Sequence, residues 1–248
     1  MKPVLERPDL VAPYPWLVMA QSTRLGGVSS GAYTSLNLGL NTSDKSERVT
    51  QNRKLLWEAL GTSEAGVATG YQVHGDGIKC VTAPGYFEGY DAFVTDLPGV
   101  FLAVSTADCV PILICDPVKR VIAAVHAGWK GTVLGITGKT LSVMRSRYGV
   151  DPKDCIAAIG AAIGFDSFEV GPEVASNFAA DFVKPAGMEE KYLVDLKRAN
   201  KRQLLEAGLP DKSVEVSDYC TVKDVGRFFS HRKENGVTGR MLAVVGMR

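Results

Sequence analysis

The stretch VIAAVHAGWKGTVLGITGKTLSVMRSRYG, Val121 to Gly149, decides the fold class. VIAAV is a short unbroken apolar run, the pattern of a strand covered on both faces. Beyond Gly131, the residues Val133, Ile136, Thr140, Leu141 and Met144 fall on one side at helical spacing, which predicts a helix. The turn between them carries His126, one of only three histidines in the chain, beside Trp129 and Lys130. Strand, Gly-punctuated turn and helix in that order make an α/β unit with reactive side chains at the strand's exit.

Working outward, FLAVST (101–106) and VPILIC (110–115) read as strands separated by Ala107, Asp108 and Cys109, and DPVKR turns the chain into VIAAV. Upstream, LVMAQ, GVATGYQVHG ending at His74, and IKCV are further strand candidates; downstream, CIAAIG, SVEV, GRFFS and MLAVVG are others. SDKSERVTQNRKLLWEAL predicts a helix stopped by Gly61, PEVASNFAADF is helix-like, and Asp195 is the expected N-cap of LKRANKRQLLEAG. STRLGGVSSGAYTSLNLG reads as a long polar loop whose Arg24 offers a binding edge. The whole is a mixed α/β chain, too irregular for a simple doubly wound sheet.

A length of 248 residues suits one large domain or two small ones, each able to bury a core without crosslinks. Lys plus Arg number 28 against 27 Asp plus Glu, interspersed, which argues against nucleic acid as the main partner. Five cysteines, Cys80, Cys109, Cys115, Cys155 and Cys220, form no C-x-x-C and read as reduced thiols; three of them, Cys80, Cys115 and Cys155, lie in apolar runs and are expected in the core. The start MKPVLERPDLVAPYPW has no continuous apolar segment, and no apolar run of membrane-spanning length follows. The expectation is a soluble cytoplasmic protein without a membrane partner.

Three borderline ligands stand just outside strand-like runs: His74, Cys109 and His126. Two imidazoles and a thiolate suit Zn²⁺ and accept copper, and three protein ligands leave a position open for chemistry. A metal there lowers the pKa of water towards neutrality, and Asp108 is a candidate proton carrier. The separations of 35 and 17 residues match no finger or ribbon, so the residues alone leave open a reading as turn cap, apolar filler and backbone-bonded imidazole. Arg24, Lys130 and Arg232, all on Gly-rich loops or strand ends, are candidates for phosphate or carboxylate. GITGKT, Gly135 to Thr140, is not a Walker A loop, because Val133 occupies the first glycine position.

The chain resembles the multicopper polyphenol oxidoreductase or laccase-domain family, also described as YfiH/YlmD-like and as peptidoglycan editing factors. The resemblance rests on an ordered series: STRLGGVSSGAYTSLNLG, YQVHG, DAFVTDLPG, STADCVPILICD, VHAGWKGT, FEVGPEV, DLKRANKRQL, DYCT, and FFSHRK followed by TGR. It implies a single α/β domain over residues 1–248, an α-β-β-α layered sandwich with mixed sheets and not a cupredoxin barrel. It places the family's metal ligands on His74, Cys109 and His126, and puts Arg24 and Lys130 near phosphate or substrate. The implied activity is zinc-dependent phosphorolysis of adenosine, inosine, guanosine and methylthioadenosine, with deamination of adenosine. Purine nucleosides and phosphate are then the partners, one zinc ion the cofactor with copper as a second possibility, and a monomer the expected state.

Two rival activities come with the resemblance. One is copper-dependent polyphenol oxidation, for which three histidines cannot supply a multicopper ligand set. The other is cell-wall quality control through binding of a muropeptide precursor. The chain also departs from the family: Ala161 and Ala162 stand where relatives commonly have Pro-Cys, His231 where they often have tyrosine, and Lys130 where they often have arginine.

Overall fold

Alternating side chains along a strand point to opposite faces, so a strand buried on both sides must feed two apolar layers at once. The computed structural model describes residues 2–187 and 190–248. In chain order its elements begin β1 (Leu5–Glu6), β2 (Leu17–Ser22), α1 (Ser46–Leu60), β3 (Val67–Tyr71), β4 (Ile78–Cys80), β5 (Gly85–Glu88) and β6 (Ala92–Thr95). The centre comprises β7 (Phe101–Thr106), β8 (Val110–Asp116), β9 (Val121–Ala127), α2 (Trp129–Val133), α3 (Ile136–Tyr148) and β10 (Ile156–Ile159). The chain closes with β11 (Glu169–Val170), α4 (Pro172–Ala175), β12 (Val183–Pro185), β13 (Tyr192–Val194), α5 (Leu196–Glu206), β14 (Val214–Val216) and β15 (Met241–Met247).

Two six-stranded mixed sheets result, β1-β2-β15-β7-β3-β5 and β14-β10-β8-β9-β6-β4, with a small third sheet β11-β13-β12. Odd residues of β9, Val121, Ala123 and Val125, join Ile112 and Ile114 of β8 against Ile136, Leu141 and Met144 of α3 and Leu204 of α5. Even residues Ile122 and Ala124 meet Leu102 and Val104 of β7 and Ala243 and Val245 of β15, filling the space between the large sheets. The opposite face of the first sheet, with Ala103, Leu242 and Val244, packs on Leu56, Trp57 and Leu60 of α1. The order is therefore helix, sheet, sheet, helix. Burying each large aliphatic side chain in these layers contributes roughly 1.5–3 kcal/mol before conformational entropy is subtracted.

Local readings differ from the sequence in several places; the strand expected to end at His74 stops at Tyr71. The helix expected after Gly131 is split into α2 and α3, because Gly135 takes φ 77° and interrupts the ladder. PEVASNFAADF keeps only the single turn α4 before a 3₁₀ turn at Ala180–Phe182. GRFFS is turn rather than strand: Phe228 N–H donates to Asp224 O, and Ser230 N–H to the Glu234 carboxylate, leaving no ladder edge. Cys115 and Cys155 are buried as expected, whereas Cys80 is half-buried. Among the described residues no helix is long and apolar enough to cross a membrane.

Candidate metal centre and its cavity

The same alternation that builds the core delivers the site. His126 shares the parity of Ile122 and Ala124, so it points between the sheets near the end of β9, only 3 % exposed. Pro111 pairs with His126 in the β8/β9 ladder, which sets Cys109, immediately before β8, at the same end. His74 arrives from the first sheet, three residues past β3, in the left-handed region at φ 60°. One ligand atom from each of His74, Cys109 and His126 lies within 4.8 Å of the others, and the two imidazoles stand edge to face with centroids 4.9 Å apart.

A fully buried carboxylate that the sequence reading missed, Asp91, organises this cluster. Its Oδ1 accepts from His126 Nδ1 at 2.8 Å and from the His74 backbone N–H at 3.0 Å. Its Oδ2 accepts from the N–H groups of Val73, at 3.2 Å, and Gly75, at 2.8 Å. Asp91 thereby fixes the His74 loop and leaves His126 Nε2 as the ring nitrogen free for an ion, the usual outer-shell arrangement of a metal-binding histidine. Burial opposes the Asp91 charge, but the hydrogen bond from His126, its charge and the backbone donors hold the carboxyl below its ordinary range.

Electrostatics favour a deprotonated sulfur. Burial works against the Cys109 thiolate, yet the imidazole of His126, then that of His74, bring the thiol down from 9.0 to about 6. Burial likewise works against charge on His126, but Cys109 and Asp91 hold the imidazole up to about 9. Gly128 completes the cradle: a Cβ there would stand 3.1 Å from His74 Cδ2 and 3.2 Å from Cys109 Sγ. The donor types and the anchoring of His126 and the His74 loop by Asp91 fit a small cation such as Zn²⁺, whose tetrahedral donors sit roughly 3.4–3.8 Å apart, somewhat closer than the 4.8 Å within which these atoms lie.

The cluster borders a cavity of about 480 Å³ that also takes in Asp108, Phe168, His231 and Arg232. Asp108, at φ 91°, acts as a staple: Oδ1 accepts from Thr221 Oγ1 at 2.6 Å and Ser230 Oγ at 2.7 Å, and Oδ2 from the Arg232 N–H at 2.7 Å. Three donors thus occupy the carboxylate expected to carry protons. Arg232 reaches the rim with Nη1 donating to Glu169 O and its guanidinium 5.5 Å over Phe168.

Arg24 and Lys130 lie outside the cavity lining. The Arg24 guanidinium, expected near phosphate or substrate, donates to Thr34 O, Val225 O and Glu234 and stacks on Phe229, which ties loops together. Lys130 stands 5.6 Å over Trp129, on the helix side of the turn. Cys220 is buried and accepts from the Gly164 N–H, and is not among the cavity-lining residues. The fold adds residues the sequence reading did not single out: Arg240, Tyr71 and Tyr86. Thr69 pairs with Tyr86 in the parallel β3/β5 ladder, so Tyr71 and Tyr86 share one face, 50 % and 45 % exposed at the mouth.

Comparison with known proteins agrees with this architecture. Residues 18–248 match the family described as multi-copper polyphenol oxidoreductase laccase. A purine nucleoside phosphorylase of Deinococcus radiodurans is 42 % identical over 252 residues, covering 99 % of this chain and 93 % of that protein. Purine nucleoside phosphorylase YlmD of Geobacillus stearothermophilus is 37 % identical, covering 95 % of this chain and 92 % of its own length. The crystal structure of YlmD from the same organism superposes with a TM-score of 0.89 at 36 % identity, over 96 % of this chain and 94 % of that one.

Proposed function

We propose, from the premise that this chain belongs to the multi-copper polyphenol oxidoreductase laccase family, that it is a zinc-dependent purine nucleoside phosphorylase acting as a single domain and a monomer. Its substrates are adenosine, inosine, guanosine and methylthioadenosine with inorganic phosphate, and it also deaminates adenosine. The observation that carries this reading is the convergence of two imidazoles and a thiol within 4.8 Å at a cavity of about 480 Å³, a volume suited to a nucleoside. The relatives named purine nucleoside phosphorylase, similar over nearly their whole length, support the reaction class.

His74, Cys109 and His126 hold the ion; when bound, it supplies Lewis acidity towards a substrate oxygen or water. Asp91 keeps His126 in one tautomer and the His74 loop in place. Tyr71 and Tyr86 offer two exposed rings on one face for stacking a planar base. Asp108 holds the His231–Arg232 turn at the rim, where Arg232 meets the substrate. In phosphorolysis a phosphate oxygen bonds to the ribose C1′ as the C1′–N9 bond breaks and its electron pair passes to the purine. In deamination water adds at C6 and ammonia leaves.

A multicopper oxidase would need a larger ligand set. The chain has three histidines, two of them in this cluster. Chromatography of zinc-loaded protein with adenosine distinguishes the readings. Adenine and ribose 1-phosphate are expected only when phosphate is present, and inosine without it. Intact nucleosides, together with oxygen uptake on phenols, would sink the proposal.

A further inference from the structure

Three arginines border the cavity: Arg53, Arg232 and Arg240. They differ in what their guanidinium groups already hold. Arg53 is gripped by both oxygens of Glu64, through Nε at 2.9 Å and Nη2 at 2.5 Å, and donates Nη1 to Leu38 O. Arg232 is exposed and donates Nη1 to Glu169 O. Arg240 is largely inside, and the hydrogen bonds of its head group come from Nη1 alone, to the carbonyls of Thr238 and Gly239 at 3.0 Å each. Among the described residues no carboxylate lies within ion-pair reach of it, and Nε and Nη2 have no protein acceptor.

The Arg240 stem is built in. Its backbone N–H donates to Asn37 Oδ1 at 2.9 Å, and its carbonyl accepts from the Leu38 N–H at 3.0 Å. A Cβ on Gly39 would come within 2.7 Å of Arg240 Cγ, so the side chain runs through space that only glycine leaves open. Burial pulls the guanidinium below its ordinary value, opposed chiefly by Asp108 and Cys109, and Arg240 lines the same cavity as His74, Cys109 and His126. A half-buried guanidinium held rigid with one edge unpaired carries a desolvation cost that an anion offsets.

We propose that Arg240 is the phosphate anchor of the site, its free Nε/Nη2 edge gripping two oxygens of inorganic phosphate beside His74, Cys109 and His126. The fork geometry matches a phosphate bidentately, which a lysine in the same place does not. This rests on the phosphorylase reading for its choice of ligand: a third phosphate oxygen is left to attack C1′ while the anchor disperses the charge of the other two.

Titration calorimetry of the full-length zinc-loaded protein with inorganic phosphate tests it directly, alongside R240M and R240K. R240M is expected to weaken phosphate binding about 10- to 100-fold, the value of one lost charge-assisted pair, and to raise KM for phosphate in step. KM for the nucleoside moves less than about threefold, because that contact is elsewhere, a split that general loosening of the fold would not give. R240K, which keeps the charge and the stem, recovers part of the loss and covers the case in which R240M does not fold. Unchanged phosphate affinity in both variants overturns the assignment, whether or not nucleosides are cleaved. Phosphate binding that depends on Arg240 in a protein that cleaves no nucleoside supports the anchor and refutes the phosphorylase reading. Binding of adenosine 5′-monophosphate that depends on Arg240, while inorganic phosphate binding does not, overturns the assignment to free phosphate.

Discussion

Replacing Asp91 by asparagine removes one charge and almost no volume, so its consequences follow from the four hydrogen bonds that converge on the carboxylate. An amide has one acceptor oxygen. If that oxygen faces His126 Nδ1 and the His74 N–H, the amide nitrogen is turned towards the Val73 and Gly75 N–H groups, and donors meet donors. Two buried donors left without an acceptor cost about 1–3 kcal/mol each, so D91N should lose about 2–6 kcal/mol in urea unfolding. Loss of the outer-shell carboxylate should also weaken zinc binding about 10- to 100-fold, read by chelator competition. The sign with pH follows from the direction of the shift. A carboxyl held low in the folded protein stabilises it above the unfolded value near 3.8, and that contribution disappears as the pH falls through the folded one. The stability gap between wild type and D91N is therefore expected to persist at neutral pH and to close in acid. A variant within about 1 kcal/mol of wild type, with unchanged zinc affinity, would refute the reasoning.

Cys109 in the zinc-free protein should react with iodoacetamide with a midpoint near pH 6, because its thiolate, favoured by His126 and His74, is lost only as the pH falls through about 6. Bound zinc should suppress the reaction, and a midpoint near 9.0 would remove the thiolate–imidazole pairing from the account. Gly128→Ala keeps an ordinary backbone conformation but presses a methyl on two ligands, so zinc affinity is expected to fall about tenfold while zinc-free stability changes by about 1 kcal/mol or less. Equal zinc affinity in that variant would mean that the cradle is looser than the 3.1 and 3.2 Å separations imply.

The central strands were legible because β7, β8, β9 and β15 are unbroken apolar runs feeding two layers each. GRFFS carries an aromatic pair, yet Phe228 and Phe229 are buried from a turn, and an apolar pair alone does not distinguish a turn pinned by Asp224 and Glu234 from a strand. The ligand set was readable as residue types at strand exits, while its convergence depends on the β8/β9 register and on a crossing from the other sheet, neither of which is a local property. Asp91 left one usable signal, a single acid placed directly before the wholly buried strand AFVT. A charge in such a position needs partners, and here they are the site itself. Arg24 was a candidate in the sequence and Arg240 was not; what separates them in the fold is Glu234, which closes an ion pair on Arg24, whereas Arg240 is left with two carbonyls.

The most direct test is zinc K-edge X-ray absorption on the purified protein, paired with metal content of C109A. The account predicts one zinc per chain with one sulfur and two imidazole nitrogens from the protein, and loss of that ion in C109A. Zinc bound without sulfur, or C109A retaining a full equivalent, would contradict it.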